Sequence, residues 1–219
     1  MKKVIALLTI MIFIFALAGC GAKQTNSQND TTKSAKVSSN TSDSSKATDK
    51  NTEEQNNDTD NSGKTLVVYF SATGTTKGVA EQIASYTNAD IYEILAAQPY
   101  TSDDLNYNDN NSRTTKEQNE KTVRPEIGSE KISLNGYDTI FIGFPIWWGE
   151  EPRIMDTFVE SYDFSEKTMI PFCTSGSSDI GASGDNLKAN AGSGNWLKGE
   201  RLSLSSDIEG WINGLDLFN

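Results

Sequence analysis

A pattern typical of anion binding stands where an apolar run gives way to a helical one. In Thr65–Ala80, TLVVYFSATGTTKGVA, residues Leu66–Phe70 are typical of a buried strand, and the small, mostly hydroxyl-bearing residues Ser71–Thr76 lead into a helix. The first N–H groups of a helix have no partner within it, and the helix dipole favours negative charge at that end. We therefore predict that this segment binds an anion, and we interpret that anion as a phosphate.

Two further segments follow apolar runs in the same way. Pro145–Gly149 reads PIWWG and sets two indoles side by side, and Thr174–Ser177 reads TSGS. Ligands of open parallel sheets bind beyond the carboxyl ends of the strands. If the preceding runs are parallel strands, the three segments converge on one site.

The residues that are missing exclude several kinds of chemistry. The chain has no histidine, and its two cysteines are Cys20 and Cys173. These counts rule out a disulfide framework, zinc sites of the usual ligand types, and Ser-His-Asp or Cys-His nucleophilic sites. No Gly-Lys-Ser/Thr follows Ser71–Thr76, called the phosphate loop below, and no G-x-G-x-x-G is present. Neither a Walker loop nor a dinucleotide fold is therefore indicated. We predict no metal site and expect a bound cofactor to supply the reactivity.

The elements that must position these residues alternate along the chain. The pattern predicts four apolar strands, a candidate edge strand and helices between them, one of them a short helix within the long polar stretch Ala96–Lys131. The last helix, Ser206–Leu215, is expected to be capped by Ser205 or Ser206. This order predicts an α/β protein with a parallel sheet covered on both faces. The predicted strands are Leu66–Phe70, Ala89–Leu95, Thr139–Phe144, Thr168–Cys173 and, at the edge, Trp196–Leu204.

The first 63 residues differ in character from the rest. Residues 1–20 have a basic start, a short apolar run and the ending Leu-Ala-Gly-Cys, which resembles the lipobox of bacterial lipoproteins with Cys20 as the lipidated residue. An uncleaved membrane anchor is the alternative, and both place the protein at a membrane, outside the cytoplasm. Residues 21–63 are polar and are predicted to be a disordered linker. We assign residues 64–219 to one folded domain.

The acidic charge of the chain belongs to that domain. Residues 1–63 hold seven basic and seven acidic residues, whereas residues 64–219 hold 12 basic and 23 acidic ones, so the net charge of −11 arises in the second part. Such a domain repels nucleic acid and anionic lipid and could attract a basic protein partner.

Taken together, the three segments resemble those of flavodoxins. The run Val67–Thr76, with Ala80 and Ile83 after it, is similar to the phosphate-loop signature of that family. The segments Phe144–Gly149 and Thr174–Ser178 resemble its two flavin-ring loops. The resemblance covers nearly all of residues 64–219. It implies a doubly wound, five-stranded parallel sheet in the order 2-1-3-4-5.

The resemblance also implies FMN as the cofactor, with its phosphate bound by the hydroxyls of Ser71, Thr73 and Thr76 and by loop amides. The alternative is that Ser71 and Thr73 merely cap the helix. Groups of Thr174–Ser177 would bond the pyrimidine edge of the ring. The implied cofactor-binding residues are Ser71, Ala72, Thr73, Gly74, Thr75, Thr76, Pro145, Ile146, Trp147, Trp148, Gly149, Thr174, Ser175, Gly176 and Ser177.

One of the two indoles is expected to enter the core and the other to serve as the ring platform, since tryptophan offers a flat apolar face. The segment Thr174–Ser178 carries no aromatic residue, unlike small electron-carrier flavodoxins, so one ring face is left open to a substrate unless Tyr107 covers it. Cys173 is expected to end a strand as a small apolar residue.

Carboxylates flank the ring loops, and we expect most of Glu150, Glu151, Asp156 and Asp179 to be solvated, with Arg153 pairing one of them. Three functions remain open at this point. The first is an FMN-dependent oxidoreductase that reduces a small acceptor such as a quinone or a nitroaromatic. The second is an electron carrier for a protein partner, and the third is a non-redox surface protein that binds FMN or another phosphorylated ligand.

Overall fold

The computed structural model describes residues 63–217. The predicted signal segment 1–20, the lipidation site Cys20 and all of the linker except Gly63 lie outside the described residues. The strands are β1 Lys64–Phe70, β2 Asp90–Ile94, β3 Tyr137–Pro145, β4 Thr168–Thr174, β5 Asn195–Trp196 and β6 Glu200–Arg201. The helices are α1 Thr75–Thr87, α2 Arg113–Asn119, α3 Arg153–Glu160, α4 Ser183–Ala191 and α5 Ile208–Asn213.

The strands form one parallel sheet in the order β2-β1-β3-β4-β5, with β6 also paired to β4. This order confirms the predicted 2-1-3-4-5 topology. Because all strands are parallel, the segments that follow β1, β3 and β4 all leave the sheet at the carboxyl ends of the strands. The fold therefore brings the three predicted loops to the same side.

The core lies on both faces of the sheet, and β1 shows why. Leu66, Val68 and Phe70 point to the layer that contains α3 and α4, while Val67 and Tyr69 point to the layer that contains α1 and α5. Successive side chains of a strand alternate between faces, so a strand covered by helices on both sides must be apolar throughout. All five of these β1 residues are buried.

The edge strand differs from the prediction, because Trp196–Leu204 is not one strand. On the outer side of β4, two short strands, β5 and β6, pair with it, and the gap between them lies opposite Pro171. The carbonyls of Met169 and Cys173 accept from the N–H groups of Leu197 and Leu202, at 2.9 and 2.8 Å. Backbone groups along a strand alternate in direction, so residue 171 faces the outer strand as Met169 and Cys173 do. Proline has no N–H to donate there. The ladder is interrupted at this position for that reason.

The prediction for the cap of the last helix is wrong. Asp207, rather than Ser205 or Ser206, precedes α5, and its carboxylate accepts from the N–H of Gly210 at 2.9 Å. The hydroxyl of Ser206 instead accepts from the N–H of Ser203 at 2.9 Å. The serine therefore closes the turn before the helix, and the aspartate begins the helix.

The long connection between β2 and β3, residues 95–136, is called the insertion below. It contains the predicted short helix as α2, which Ser112 caps by accepting from the N–H of Thr115 at 3.3 Å. The buried residues of α2 are all polar: Thr114, Thr115, Glu117 and Gln118. Within residues 63–217, every helix is too short or too polar to cross a lipid bilayer.

Candidate functional site

The loop Ser71–Thr76 joins β1 to α1 and leaves the amides of the first helical residues free for a ligand. Gly74 precedes the helix with φ +88°, a left-handed conformation that favours glycine, and no side chain caps the helix. The hydroxyl of Ser71 accepts from the N–H of Gly74 at 3.1 Å. Ser71 therefore orders the turn, while Thr73 makes no capping bond. The first turn of α1 contains no acidic residue that would compete with an anion.

Thr76 takes a position different from its neighbours in this loop. Its side chain is buried, and its hydroxyl lies 2.8 Å from the hydroxyl of Thr174 at the end of β4. A hydroxyl both donates and accepts, so Thr174 can donate to Thr76 while Thr76 donates to an anion. This bond ties the first predicted segment to the third.

The second segment joins the other two. The N–H of Ile146 donates to the carbonyl of Thr174 at 3.0 Å. Thr73 of the phosphate loop and Ile146 of the second segment line a single cavity. The expected convergence of the three segments at one edge of the sheet is thus confirmed by their contacts.

Trp147–Glu150, called the aromatic turn below, closes on itself. The N–H of Trp147 donates to the carbonyl of Glu150 at 2.9 Å, and the N–H of Glu150 donates back at 3.1 Å. Trp148 and Gly149 between them have φ +50° and +84°. Positive φ at both central residues defines a type I′ turn, which favours Asn-Gly, so a tryptophan here is held against its backbone preference. Such strain at a loop beside a cavity is typical of a functional position.

The cavity beside the aromatic turn has a volume of about 370 Å³. Its walls come from the phosphate loop, from the aromatic turn and the residue before it, and from the insertion. Tyr107 and Trp148 are 73% and 44% exposed, so two large aromatic side chains border this space without being covered by protein. The lining residues are Thr73, Leu105, Tyr107, Ile146, Trp147 and Trp148.

The two adjacent indoles have different environments, although neither is fully buried in the core. Trp147 is half-buried and packs edge-on against Phe70 and Tyr100, with ring centroids 5.6 and 5.2 Å away. Trp148 has no such packing and projects into solvent. The structure thus distinguishes a fixed indole from an exposed one, and both border the cavity.

The hydroxyls of the third segment are largely used within the protein. Thr174 bonds Thr76, and the hydroxyl of Ser175 donates to the carbonyl of Ser178. Gly176 and Ser177 are exposed. Backbone groups of residues 175–177 and the Ser177 hydroxyl are therefore better placed for a ligand than the first two side chains. Cys173 is buried within β4, where burial raises the pKa of its thiol to about 12, and it behaves as a small apolar residue.

The expectation that the carboxylates near the aromatic turn are solvated is wrong for Glu151 and Asp156. Each is only 1% exposed, and Arg153, 3% exposed, lies between them. The Arg153 guanidinium is 3.8 Å from Glu151, 3.6 Å from Asp156 and 2.6 Å from the partly buried Glu150. Arg153 thus pairs three carboxylates rather than one. The helix α3 is buried on almost every side, so its charged residues enter the interior with it.

Burial raises the pKa of both Glu151 and Asp156, because desolvation penalises the carboxylate. Glu150 is more exposed, and its hydrogen bond from Arg153 lowers the pKa of that carboxyl. Asn186 and Asn190 of α4 donate to Glu151 and Asp156 at 3.3 and 2.9 Å, which partly compensates for the lost water.

We expect Glu151→Gln to stabilise the fold at pH 8 and to have little effect near pH 4. The folded Glu151 carboxyl holds its proton to a higher pH than the unfolded one, so its ionisation destabilises the folded state as pH rises above the ordinary glutamate range. Glutamine removes that penalty, and Arg153 keeps Glu150 and Asp156. Melting temperatures of wild type and variant between pH 4 and pH 8 measure the effect. The prediction is wrong if the variant's advantage in melting temperature over wild type is smaller at pH 8 than at pH 4.

A doubly wound parallel sheet whose loops converge at the carboxyl ends of its strands is the architecture of mononucleotide-binding α/β proteins. The family model for flavodoxin matches residues 64–215. This chain belongs to the flavodoxin family. The search of curated proteins found no match.

Solved structures with similar folds include two proteins classed as flavoproteins from Bacteroides. The chain is 44% identical to that of Bacteroides eggerthii, with a TM-score of 0.66, covering 71% of this chain and 97% of the other. It is 48% identical to that of Bacteroides uniformis, again with a TM-score of 0.66, covering 69% and 98%. A flavoprotein from Lactobacillus acidophilus in complex with FMN is 25% identical, with a TM-score of 0.52 and coverage of 68% and 99%.

Proposed function

We propose that this protein binds FMN and transfers electrons through it. The observation that carries the proposal is the continuity of the phosphate loop with the aromatic cavity. Thr73 belongs to both, so an anion at the start of α1 and a planar ring against the indoles can be parts of one molecule. The flavoprotein in complex with FMN among the structural relatives supports the same ligand.

The residues present fit FMN on chemical grounds. Free amides at the start of a 13-residue helix, beside exposed hydroxyls, suit a terminal phosphate. The Cβ built on Gly74 meets no atom within 4 Å, so open space lies beside the loop. Aromatic walls suit a flat ring system. FMN, when bound, supplies the electron-transfer chemistry.

The protein's own residues bind and orient the cofactor. Ser71 holds the loop through Gly74. Thr76 can accept from Thr174, which would leave its own proton for the phosphate. Trp147, fixed by Phe70 and Tyr100, provides a rigid platform for the ring. Trp148 and Tyr107 would contact the ring from the solvent side of the cavity, and backbone groups of residues 175–177 would bond the pyrimidine edge.

The surroundings and the substrate are part of the same proposal. A lipid on Cys20 holds the protein at the outer side of a bacterial membrane, with residues 21–63 as a spacer. The segment after β4 has no aromatic residue, which leaves room for a small acceptor such as a quinone or a nitroaromatic.

The test is a titration of the purified full-length protein with FMN, followed by absorption and calorimetry. We expect a yellow complex with one FMN per chain that dithionite reduces. A protein that stays colourless and gives no heat of binding would refute the proposal. Turnover of a quinone by the reduced complex then separates a reductase from a carrier.

The acidic surface favours the second candidate, an electron carrier for a protein partner. The excess of acidic over basic residues falls in the family domain, and such a field accelerates encounter with a basic partner. A reduced complex that transfers electrons to a basic redox protein, at a rate that falls steeply with salt, and that does not turn over quinones would favour this candidate.

We expect Trp148→Asn to weaken FMN binding about tenfold while leaving the fold as stable or more stable. Stacking of a ring on an aromatic side chain contributes roughly 1–3 kcal/mol. Asparagine accepts positive φ more readily than tryptophan, so the turn loses strain of about 1 kcal/mol. Urea unfolding and FMN titration measure the two effects. Trp148→Phe, which keeps a ring, serves as the control; unchanged affinity in the asparagine variant would mean that Trp148 does not contact the flavin.

A further inference from the structure

The cavity has two sides that belong to different parts of the chain. Ile146, Trp147 and Trp148 follow β3, whereas Leu105 and Tyr107 belong to the insertion. Their separation therefore depends on how the insertion is held against the aromatic turn. The end of α2 lies at that junction.

Gln118, near the end of α2, contacts the first residue of the aromatic turn and the residue that follows it. It is 7% exposed, and its Nε2 donates to the carbonyl of Trp147 at 2.9 Å and to the carbonyl of Glu151 at 3.2 Å. The Trp147 carbonyl also accepts from the N–H of Glu150 within the turn. One side-chain amide thus fixes the residue before the strained Trp148 and the residue after the turn.

Arginines from α3 and from the insertion also hold α2 and the aromatic turn together. The Arg153 guanidinium donates to the backbone carbonyl of Gln118 at 3.2 Å and to the Glu150 carboxylate at 2.6 Å. Arg124, also in the insertion, makes two hydrogen bonds to the Glu160 carboxylate at the end of α3, at 2.8 and 2.7 Å. The helix α2 is therefore attached to both the turn and α3.

We propose that Gln118 is a positioning residue for the flavin: it sets the orientation of the aromatic turn and its distance from the wall formed by the insertion. This inference rests on the proposed FMN binding. A ring system held between two walls is sensitive to displacements well under 1 Å, so a partner that fixes one wall against the other affects binding without touching the ligand. Gln118 does not line the cavity.

The test is Gln118→Met, which keeps the size of the side chain and removes its donor. The variant loses both hydrogen bonds that hold the aromatic turn, at Trp147 and at Glu151. We expect FMN binding to weaken about tenfold, because part of the stabilisation lost with these bonds must then come from the free energy of binding. We also expect a shift of the flavin midpoint potential, because the indoles beside the ring change position. Gln118→Asn is the second variant, because its amide is one methylene too short to reach both carbonyls. If Gln118→Met does not fold, the FMN affinity and midpoint potential of Gln118→Asn test the inference.

Thr114→Val is the matched control. Thr114 is buried on the same helix, and its hydroxyl donates to the carbonyl of Asp104, within the insertion, at 2.6 Å. The backbone N–H of Thr114 donates to the same carbonyl at 3.1 Å and holds Asp104, beside the cavity residue Leu105, in place. This variant therefore loses one hydrogen bond of α2 but none to the aromatic turn, and we expect FMN affinity within about twofold of wild type and an unchanged potential.

The outcomes separate the inference from the proposed function. Wild type that binds FMN, together with Gln118 variants that keep its affinity and potential, overturns the positioning role alone. Equal losses in Gln118→Met and Thr114→Val also overturn it, since they would reflect general destabilisation. Wild type that fails to bind FMN overturns the proposed function, and the inference fails with it.

Discussion

Replacing Thr75 with glutamate is expected to abolish FMN binding at micromolar concentrations while leaving the fold intact. Thr75 is exposed at the first position of α1, where the phosphate is proposed to bind. Two unit charges about 4 Å apart near a protein surface repel by roughly 4 kcal/mol, which corresponds to about a thousandfold loss of affinity. The same carboxylate stabilises the helix by about 0.3–1 kcal/mol, because the first turn has no acidic residue.

The opposite signs of these two effects make the experiment decisive. Thr75→Gln is the control, because glutamine has nearly the same shape as glutamate but no charge. We expect this variant to lose much less FMN affinity than Thr75→Glu. Calorimetric FMN titration and urea unfolding of the three proteins measure both quantities. If Thr75→Glu binds FMN within tenfold of wild type, the phosphate does not lie at the start of α1. The neighbouring Thr76 is a poor choice for this test, because its buried bond to Thr174 would be broken as well.

The second large effect is expected for Arg153→Met, which should lower the free energy of unfolding by about 3–5 kcal/mol. Within the described residues, the variant leaves Glu151 buried with no cation beside it and Asp156 with only Arg124, 4.0 Å away. Removing one partner of a buried ion pair costs this amount because the remaining charge is uncompensated. Methionine keeps most of the volume, so a cavity contributes little.

Lys121→Met is the matched control for this variant, since Lys121 and Arg153 both bind the Glu150 carboxylate. The Lys121 side chain is 75% exposed and its contact is 3.2 Å long, whereas the Arg153 side chain is 4% exposed. An exposed pair contributes less than about 1 kcal/mol. Urea denaturation of both variants gives the comparison. Losses that agree within about 1 kcal/mol would show that the Arg153 cluster is solvated.

The sequence predicted the elements that have a strong local pattern. The apolar run before Ser71 and the helix after it required no knowledge of distant residues, and the predicted strand order is confirmed. The binding roles of the loop residues stay predictions. The split of the edge strand was missed because its cause, Pro171, lies on a neighbouring strand. The apolar pattern of residues 196–204 does not show that the neighbouring strand lacks a backbone N–H at Pro171.

The buried polar residues were missed for a different reason. Glu151, Arg153 and Asp156 have the composition of a surface, yet α3 is enclosed by the insertion and α4. The spacing of Arg153 and Asp156, three residues apart among Ile154, Met155 and Phe158, is the signal that could have indicated an internal ion pair. Gln118 offered no such signal, because α2 buries only polar side chains and has no apolar face.

The gap opposite Pro171 has a consequence for how these molecules behave in a concentrated solution. A long, regular outer strand offers a row of unpaired amides and carbonyls to which another chain can add. Here that border consists of two pieces of two residues each, β5 and β6, which pair at separate places. No neighbouring chain finds a continuous template along this side. The proline that shortens the ladder within one molecule therefore protects against aggregation between molecules.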